Sequence, residues 1–212
     1  MTQRIIKLSE ITESEIQLVH KVLSSGDVIA YPTDTIYGLG VDIYHRKAVA
    51  NLQRLKNRND HKPVSILYSD VESLLVDFPH LNSLQRKIVR ELMPGRITLL
   101  LPIVSEDKFP AFVIDNGFIG IRVVDLPALN RLLADYRHPI STTSINPAGA
   151  KPATSVKEIL DYFNAEIPVI IDNGTNRDPK PSTIIRLLQN DWEIVREAAI
   201  SETEIARRLR TN

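Results

Sequence analysis

"YPTDTIYGLG", residues 31–40, decides how this chain is read. It follows a short apolar run, "DVIA" (27–30), and Pro32 ends the strand that this run forms. The stretch then places two threonines, an aspartate and two of the chain's eight glycines beside two tyrosines. Two readings fit. It is a strand end running into a turn, or it is the wall of a small-molecule site. Gly38 and Gly40 read as room for close approach of backbone or ligand.

Outward from this stretch, strand and helix signals alternate. "RIIKL" (4–8), "VSILY" (64–68), "ITLLLPIV" (97–104), "FIGIRVV" (118–124), "HPISTTS" (138–144), "PVIIDNG" (168–174), "STIIRLL" (182–188) and "WEIVRE" (192–197) are short apolar strand candidates. Between them lie helix patterns. "TESEIQLVHKVLSSG" carries a Thr12/Glu15 capping box, puts Ile16, Val19 and Leu23 on one face, and stops at Gly26. "RKAVANLQRLKNR" (46–58), "SLQRKIVRELM" (83–93), "LPALNRLLADY" (126–136), "SVKEILDYF" (155–163) and "SETEIARRLR" (201–210) follow. Alternation of this kind predicts one α/β domain over 1–212, with a mixed sheet and flanking helices. The close spacing of the last strands predicts antiparallel pairing there.

Composition narrows the chemistry. The 212 residues carry 26 basic and 26 acidic side chains, so bulk charge does not announce a nucleic-acid binder. With no cysteine there is no disulfide, thiolate metal site or cysteine nucleophile. The N-terminal "MTQRIIKLSE" has no signal-peptide pattern, and no apolar run approaches the roughly 20 residues of a spanning helix. The expectation is a cytoplasmic protein without a membrane segment. His20, His45, His61, His80 and His138 are scattered, which predicts no tightly bound, protein-ligated metal. The phosphate loop G-x-x-x-x-G-K-[ST] is absent, and Gly38-Leu39-Gly40 lacks the third glycine of G-x-G-x-x-G.

What remains is a set of cations and hydroxyls. Lys56-x-Arg58, with Lys62 beyond, leaves the second helix. In an extended exit the first two point to one side and suit a triphosphate; alternatively they are solvated cations facing the helix dipole. "STTSIN" (141–146) ends a strand, where Ser144 and Asn146 either bond a ligand or cap a turn. Arg122 interrupts the apolar strand "IGIRVV". A charge there needs an anion, from an internal carboxylate or from a substrate. Ser182, Thr183 and Arg196 add hydroxyls and a cation late in the chain.

Together these pieces resemble the YrdC-like family, the threonylcarbamoyl-AMP synthases of tRNA modification. The resemblance rests on "YPTDTIYGLG", "LKNR" for K-x-R, "PGRIT" for P-G-x-x-T, "IGIRVVDLP" for A-V-R-x-x-x-x-P, "TTSIN" for S-x-N, "PSTII" for S-T-[VI] and "IVRE" for the final arginine. The motifs run in the family's order from Val28 to Glu197. The resemblance implies a twisted sheet with a large basic concave cavity. It also implies ATP-dependent synthesis of L-threonylcarbamoyladenylate from L-threonine and bicarbonate, with release of pyrophosphate. Carried over, Lys56 and Arg58 are the catalytic cations on the ATP phosphates, and Asn146 and Arg196 also bind ATP. Thr33, Arg122, Ser144 and Ser182 line the threonine pocket, with Arg122 on the carboxylate. Magnesium arrives with the nucleotide. Partner threonylcarbamoyl-transferase proteins act downstream on tRNA.

The chain departs from the family pattern at Asn59, Arg96, Ala148 and Ala198, and at 212 residues the expectation is a single YrdC-like domain without the C-terminal domain of longer members. The YciO-like paralogues share the fold but tend to lack an intact K-x-R and S-x-N, both of which this chain keeps. A module that binds double-stranded RNA or nucleotide without synthase activity is the other reading. Zero net charge weakens its nonspecific form.

Overall fold

The computed structural model describes residues 2–56, 63–104 and 108–210. In chain order the elements are β1 (Arg4–Lys7), α1 (Glu13–Ser24), β2 (Ile29–Tyr31), β3 (Gly38–Gly40), α2 (Arg46–Leu55), β4 (Ser65–Leu67), α3 (Val71–Asp77), α4 (Ser83–Leu92) and β5 (Ile97–Pro102). Then come β6 (Ile114–Asp115), β7 (Phe118–Arg122), α5 (Pro127–Ala134), β8 (Ile140–Ser144), α6 (Val156–Phe163), β9 (Val169–Asp172), β10 (Thr183–Leu187), β11 (Trp192–Arg196) and α7 (Glu202–Arg210).

The strands form one mixed sheet in the order β1-β9-β2-β3-β8-β4-β7-β5-β10-β11, with β6 pairing against the start of β7. Parallel ladders join β1 to β9, β9 to β2, β4 to β7 and β5 to β10. The expected antiparallel pairing of the last strands is present between β10 and β11. It also runs through the middle, at β2/β3, β3/β8, β8/β4 and β5/β7.

Local chemistry explains the helix ends. Thr12 and Glu15 close a reciprocal capping box on α1, and Gly26 takes φ +79° just beyond its end. Asn82 and Gln85 do the same for α4, and Ser155 caps α6. Besides the two-residue β6, two elements escape a pattern reading. The first is α3, a short helix opened by the Asp70 side chain on Ser73 N. The second is β3, whose pair of glycines disfavours a strand. Its partner explains it. Tyr31 pairs with Gly38, and its ring lies over both glycines, so that a Cβ at Gly40 would sit 2.6 Å from that ring and 3.0 Å from the Ser141 carbonyl. The close approach expected at Gly38 and Gly40 is therefore made by Tyr31.

The period-2 alternation of the strands sorts the two faces. One face is covered end to end. Ala30, Leu39 and Ile170 pack on α2 and α6, while Ile66, Leu99, Ile121 and Ile185 pack on α3, α4 and α7. On the other face Ile29, Tyr31, Leu67 and Ile140 pack on α1 and α5. Beyond that cover the same face turns small and polar, with Gly38, Ser144, Thr142, Ser65, Gly120, Arg122 and Thr98. A concave polar surface is left over the middle of the sheet. Among the described residues no helix is long and apolar enough to cross a membrane.

Candidate active site

That polar surface is the floor of a cavity of about 170 Å³. Thr33, Arg122, Ser144, Ser182 and Arg196, which enter from five separate parts of the chain, all line it. The pairings explain the convergence. Gly38 stands opposite Ser144, Leu67 opposite Arg122, and Ile184 opposite Arg196. Lys56 and Asn146 adjoin this group through Ser144. Arg58 lies outside the described residues.

Lys56 ends α2 as its C-cap and is 2% exposed. Its ammonium donates to the Ser144 carbonyl at 2.5 Å and to Asn146 Oδ1 at 3.2 Å, with Ser144 Oγ at 3.5 Å. Ser144 Oγ donates to Asn146 Oδ1 at 2.6 Å. The Asn146 amide donates to the carbonyls of Pro147 and Ala150, both at 2.9 Å. The Lys56 carbonyl accepts from Ala148 N at 3.0 Å, which ties the helix end to the turn after β8. The cation of K-x-R and the amide of S-x-N thus form one network. The oxygens in these contacts are neutral.

Arg122 closes β7 and is buried. Of the two anions weighed for it, the internal carboxylate is present. Its Nη2 donates to Asp34 Oδ1 at 2.5 Å, and each side chain is only 7% exposed. Its Nη1 donates to Thr35 Oγ1 at 2.8 Å. Its Nε is buried with no hydrogen-bond partner among the described residues. Asp34 Oδ2 accepts from Asp125 N at 3.0 Å, so one carboxylate fixes both the guanidinium and the turn after β7. Asp34 and Thr35, which read from sequence as turn residues, are the groups that seat Arg122.

Thr33 lines the cavity, yet its hydroxyl also organises the turn. Oγ1 donates to the Ile36 carbonyl at 2.6 Å and accepts from Thr35 N at 3.1 Å and Ile36 N at 3.2 Å. It also shares a bond with Thr35 Oγ1 at 2.9 Å. Across the cavity Ser182 shares a 2.7 Å hydrogen bond with Thr98, and its carbonyl accepts from Arg196 Nη2 at 2.7 Å. Partial burial, and then the positive charge of Arg122, lower the pKa of Arg196 below its ordinary value. Among the described residues that line the cavity there are two guanidiniums, Arg122 and Arg196, and no carboxylate.

Thr98 was not singled out from the sequence. The one polar side chain in the apolar strand "ITLLL" was the signal for it. Asp34 gave a signal too, because Arg122 needed an anion. Nothing local pointed to Asn176, which reaches the turn from the segment after β9. Among the described residues, no group of three or more His, Asp or Glu side chains is placed to hold a metal ion. Among the described residues the site offers cations, hydroxyls and amides. Such a set suits binding and charge neutralisation of a phosphorylated substrate.

Known proteins are similar to this chain in sequence and fold. The Sua5_yciO_yrdC family model, described as "Telomere recombination", matches residues 21–198. The threonylcarbamoyl-AMP synthase of Marinobacter nauticus is 34% identical over 177 residues, covering 82% of this chain and 92% of its own length. The structure of P. abyssi Sua5 complexed with L-threonine superposes with a TM-score of 0.87 at 26% identity. That match covers 97% of this chain but 61% of the longer Sua5 chain. E. coli YciO shares the fold, with a TM-score of 0.81 over 97% of this chain and all of its own, at 24% identity. The chain belongs to the Sua5/YciO/YrdC family.

Proposed function

We propose that the protein is an L-threonylcarbamoyladenylate synthase, which joins L-threonine, bicarbonate and ATP, releases pyrophosphate and supplies the modification of tRNA to threonylcarbamoyladenosine. The observation that carries this reading is the joining of the Lys56–Ser144–Asn146 network to a cavity lined by Arg122, Ser182 and Arg196. The synthase name of the M. nauticus relative and the threonine held by P. abyssi Sua5 support it.

The assignment of roles follows the chemistry. The reaction attacks the α-phosphorus of ATP and expels pyrophosphate, so charge builds on phosphate oxygens. Lys56 and Arg196, with Asn146 as an uncharged donor and Arg58 as the second cation of K-x-R, take the nucleotide. Arg122 takes the threonine carboxylate, in a pocket shared with Thr33, Ser144 and Ser182. Magnesium enters with the nucleotide and neutralises phosphate charge. The protein's own contribution is to hold the reactants in line and to meet developing charge with fixed donors. The product passes to threonylcarbamoyl-transferase proteins in the cytoplasm, and tRNA is reached through them.

The test is pyrophosphate release from purified protein given ATP, bicarbonate and threonine. Release that depends on threonine supports the reading. ATP binding without such release favours a YciO-like role, for which the shared fold is the motive. RNA affinity that falls steeply with salt, without ATP binding, favours the RNA-binding module.

A further inference from the structure

Arg122 is gripped on two sides, and one of those grips depends on a segment that no motif covers. Residues 173–181 join β9 to β10. Asn176 is partly buried, while its neighbours on both sides are exposed. Asn176 Nδ2 donates to the Thr35 carbonyl. Asn176 Oδ1 accepts from Asp178 N at 3.0 Å. Asp178 is in turn held by Arg96, through Nη1 to Oδ2 at 3.1 Å and Nη2 to its carbonyl at 3.0 Å. Arg96 stands just before β5, where its carbonyl accepts from Thr183 N at 3.1 Å. A line of contacts therefore runs from Arg96 through Asp178, Asn176 and Thr35 to Arg122.

We propose that Asn176, anchored by the Arg96–Asp178 pair, is a positioning residue for Arg122. It acts through Thr35 to fix the position of the Arg122 guanidinium against the cavity that it lines. The physical argument is one of degrees of freedom. Thr35 is fully buried, and its hydroxyl can meet Arg122 Nη1 only while the backbone of the turn is fixed. Thr33 fixes the start of that turn from within. The Thr35 carbonyl points to a partner outside the turn, and Asn176 supplies it. A guanidinium held at Nη1 and Nη2 keeps its plane fixed and presents its remaining N–H donors to an oxygen anion in a set direction. Asp34 alone holds one nitrogen and permits rotation about that contact. Arg96, one of the positions at which the chain departs from the family pattern, anchors the line.

The inference rests on the synthase reading for the ligand's identity, so the experiment separates the two. Asn176→Ala removes the amide without entering the cavity lining of Arg122, Ser144 and Ser182. The loss of one neutral hydrogen bond to the turn raises the threonine KM about three- to tenfold, with the ATP KM and kcat within about twofold of wild type. Asn176→Asp, which keeps the size but loses the donor, behaves as Asn176→Ala. A role confined to packing the segment lowers the melting temperature and leaves the threonine KM unchanged, and that result overturns the inference. The second readout needs no turnover. Nitrogen-15 NMR of the arginine side chains, with the Arg122 signal assigned by its loss in Arg122→Lys, reports rotation of the guanidinium. It rotates slowly in the wild type and faster in Asn176→Ala. Equal rotation in the two proteins overturns the inference whether or not the wild type makes pyrophosphate. Absent threonine-dependent pyrophosphate release in the wild type contradicts the synthase reading alone.

Discussion

Replacing Lys56 with alanine removes the most deeply placed cation of the site. The ammonium donates to the Ser144 carbonyl at 2.5 Å and to Asn146 Oδ1 at 3.2 Å, from a position 2% exposed. The loss stays local. Asn146 keeps its bonds to Ser144 Oγ, Pro147 and Ala150, so the amide remains in place when the lysine is cut back. A hydrogen bond from a charged donor to a phosphate oxygen contributes about 1.5–3 kcal/mol, which corresponds to about a 10- to 150-fold loss in kcat/KM for ATP. Stability also falls, because the Ser144 carbonyl loses its charged donor at a cost of about 1–3 kcal/mol. For a chain of this size that is a drop of about 2–12 °C in melting temperature. The assay is initial-rate pyrophosphate release across ATP concentrations at saturating threonine and bicarbonate, run well below the variant's melting temperature. A folded Lys56→Ala protein with kcat/KM for ATP within about twofold of wild type would refute the assignment of Lys56 to the nucleotide.

Other outcomes follow from the same geometry. Gly40→Ala forces a Cβ to within 2.6 Å of the Tyr31 ring and destabilises the fold by about 1–3 kcal/mol, read as a lower melting temperature; an unchanged value contradicts the packing account of β3. Thr33→Val keeps the shape but removes the hydroxyl that accepts from Thr35 N and Ile36 N, and lowers stability by about 1–3 kcal/mol in a denaturant titration. Burial raises the phenol pKa of Tyr37 and Tyr136 from 10 to about 12 and also raises those of Tyr31 and Tyr68. The fold thus favours the neutral phenols, so their stabilisation is complete below pH 10 and is lost as pH rises towards 12. Thermal unfolding followed from neutral pH upward should show melting temperatures that hold until that window and then fall.

Much of the fold was legible because it is written in local signals. The capping box at Thr12 and Glu15, the stop at Gly26 and the apolar runs of β5, β7 and β9 all depend on neighbouring residues. What could not be read depends on distant ones. Strand β3 exists because the Tyr31 ring fills the space above two glycines, and the strand pattern of residues 38–40 gives no hint of it. The parallel ladder of β1 on β9 joins opposite ends of the chain, and no periodicity encodes that pairing. The site divides in the same way. Side chains that break an apolar strand or follow it closely, such as Arg122 and Ser144, stand out by their cost or their company. Their partners do not. Arg122 demanded an anion, but sequence could not choose between a carboxylate of the protein and one of the substrate. Asp34, separated from it by 88 positions, settles the internal partner. Asn176 lies in a polar segment where nothing distinguishes it from Asn173, and only the folded chain brings its amide to Thr35.

The central claim is that this cavity couples threonine to the cleavage of ATP between its α- and β-phosphates. The most direct measurement is pyrophosphate release from the purified protein with ATP, magnesium and bicarbonate, with and without L-threonine. The account predicts release that requires threonine and that Arg122→Ala abolishes or severely reduces. A protein that binds ATP yet releases pyrophosphate at the same rate with and without threonine contradicts it.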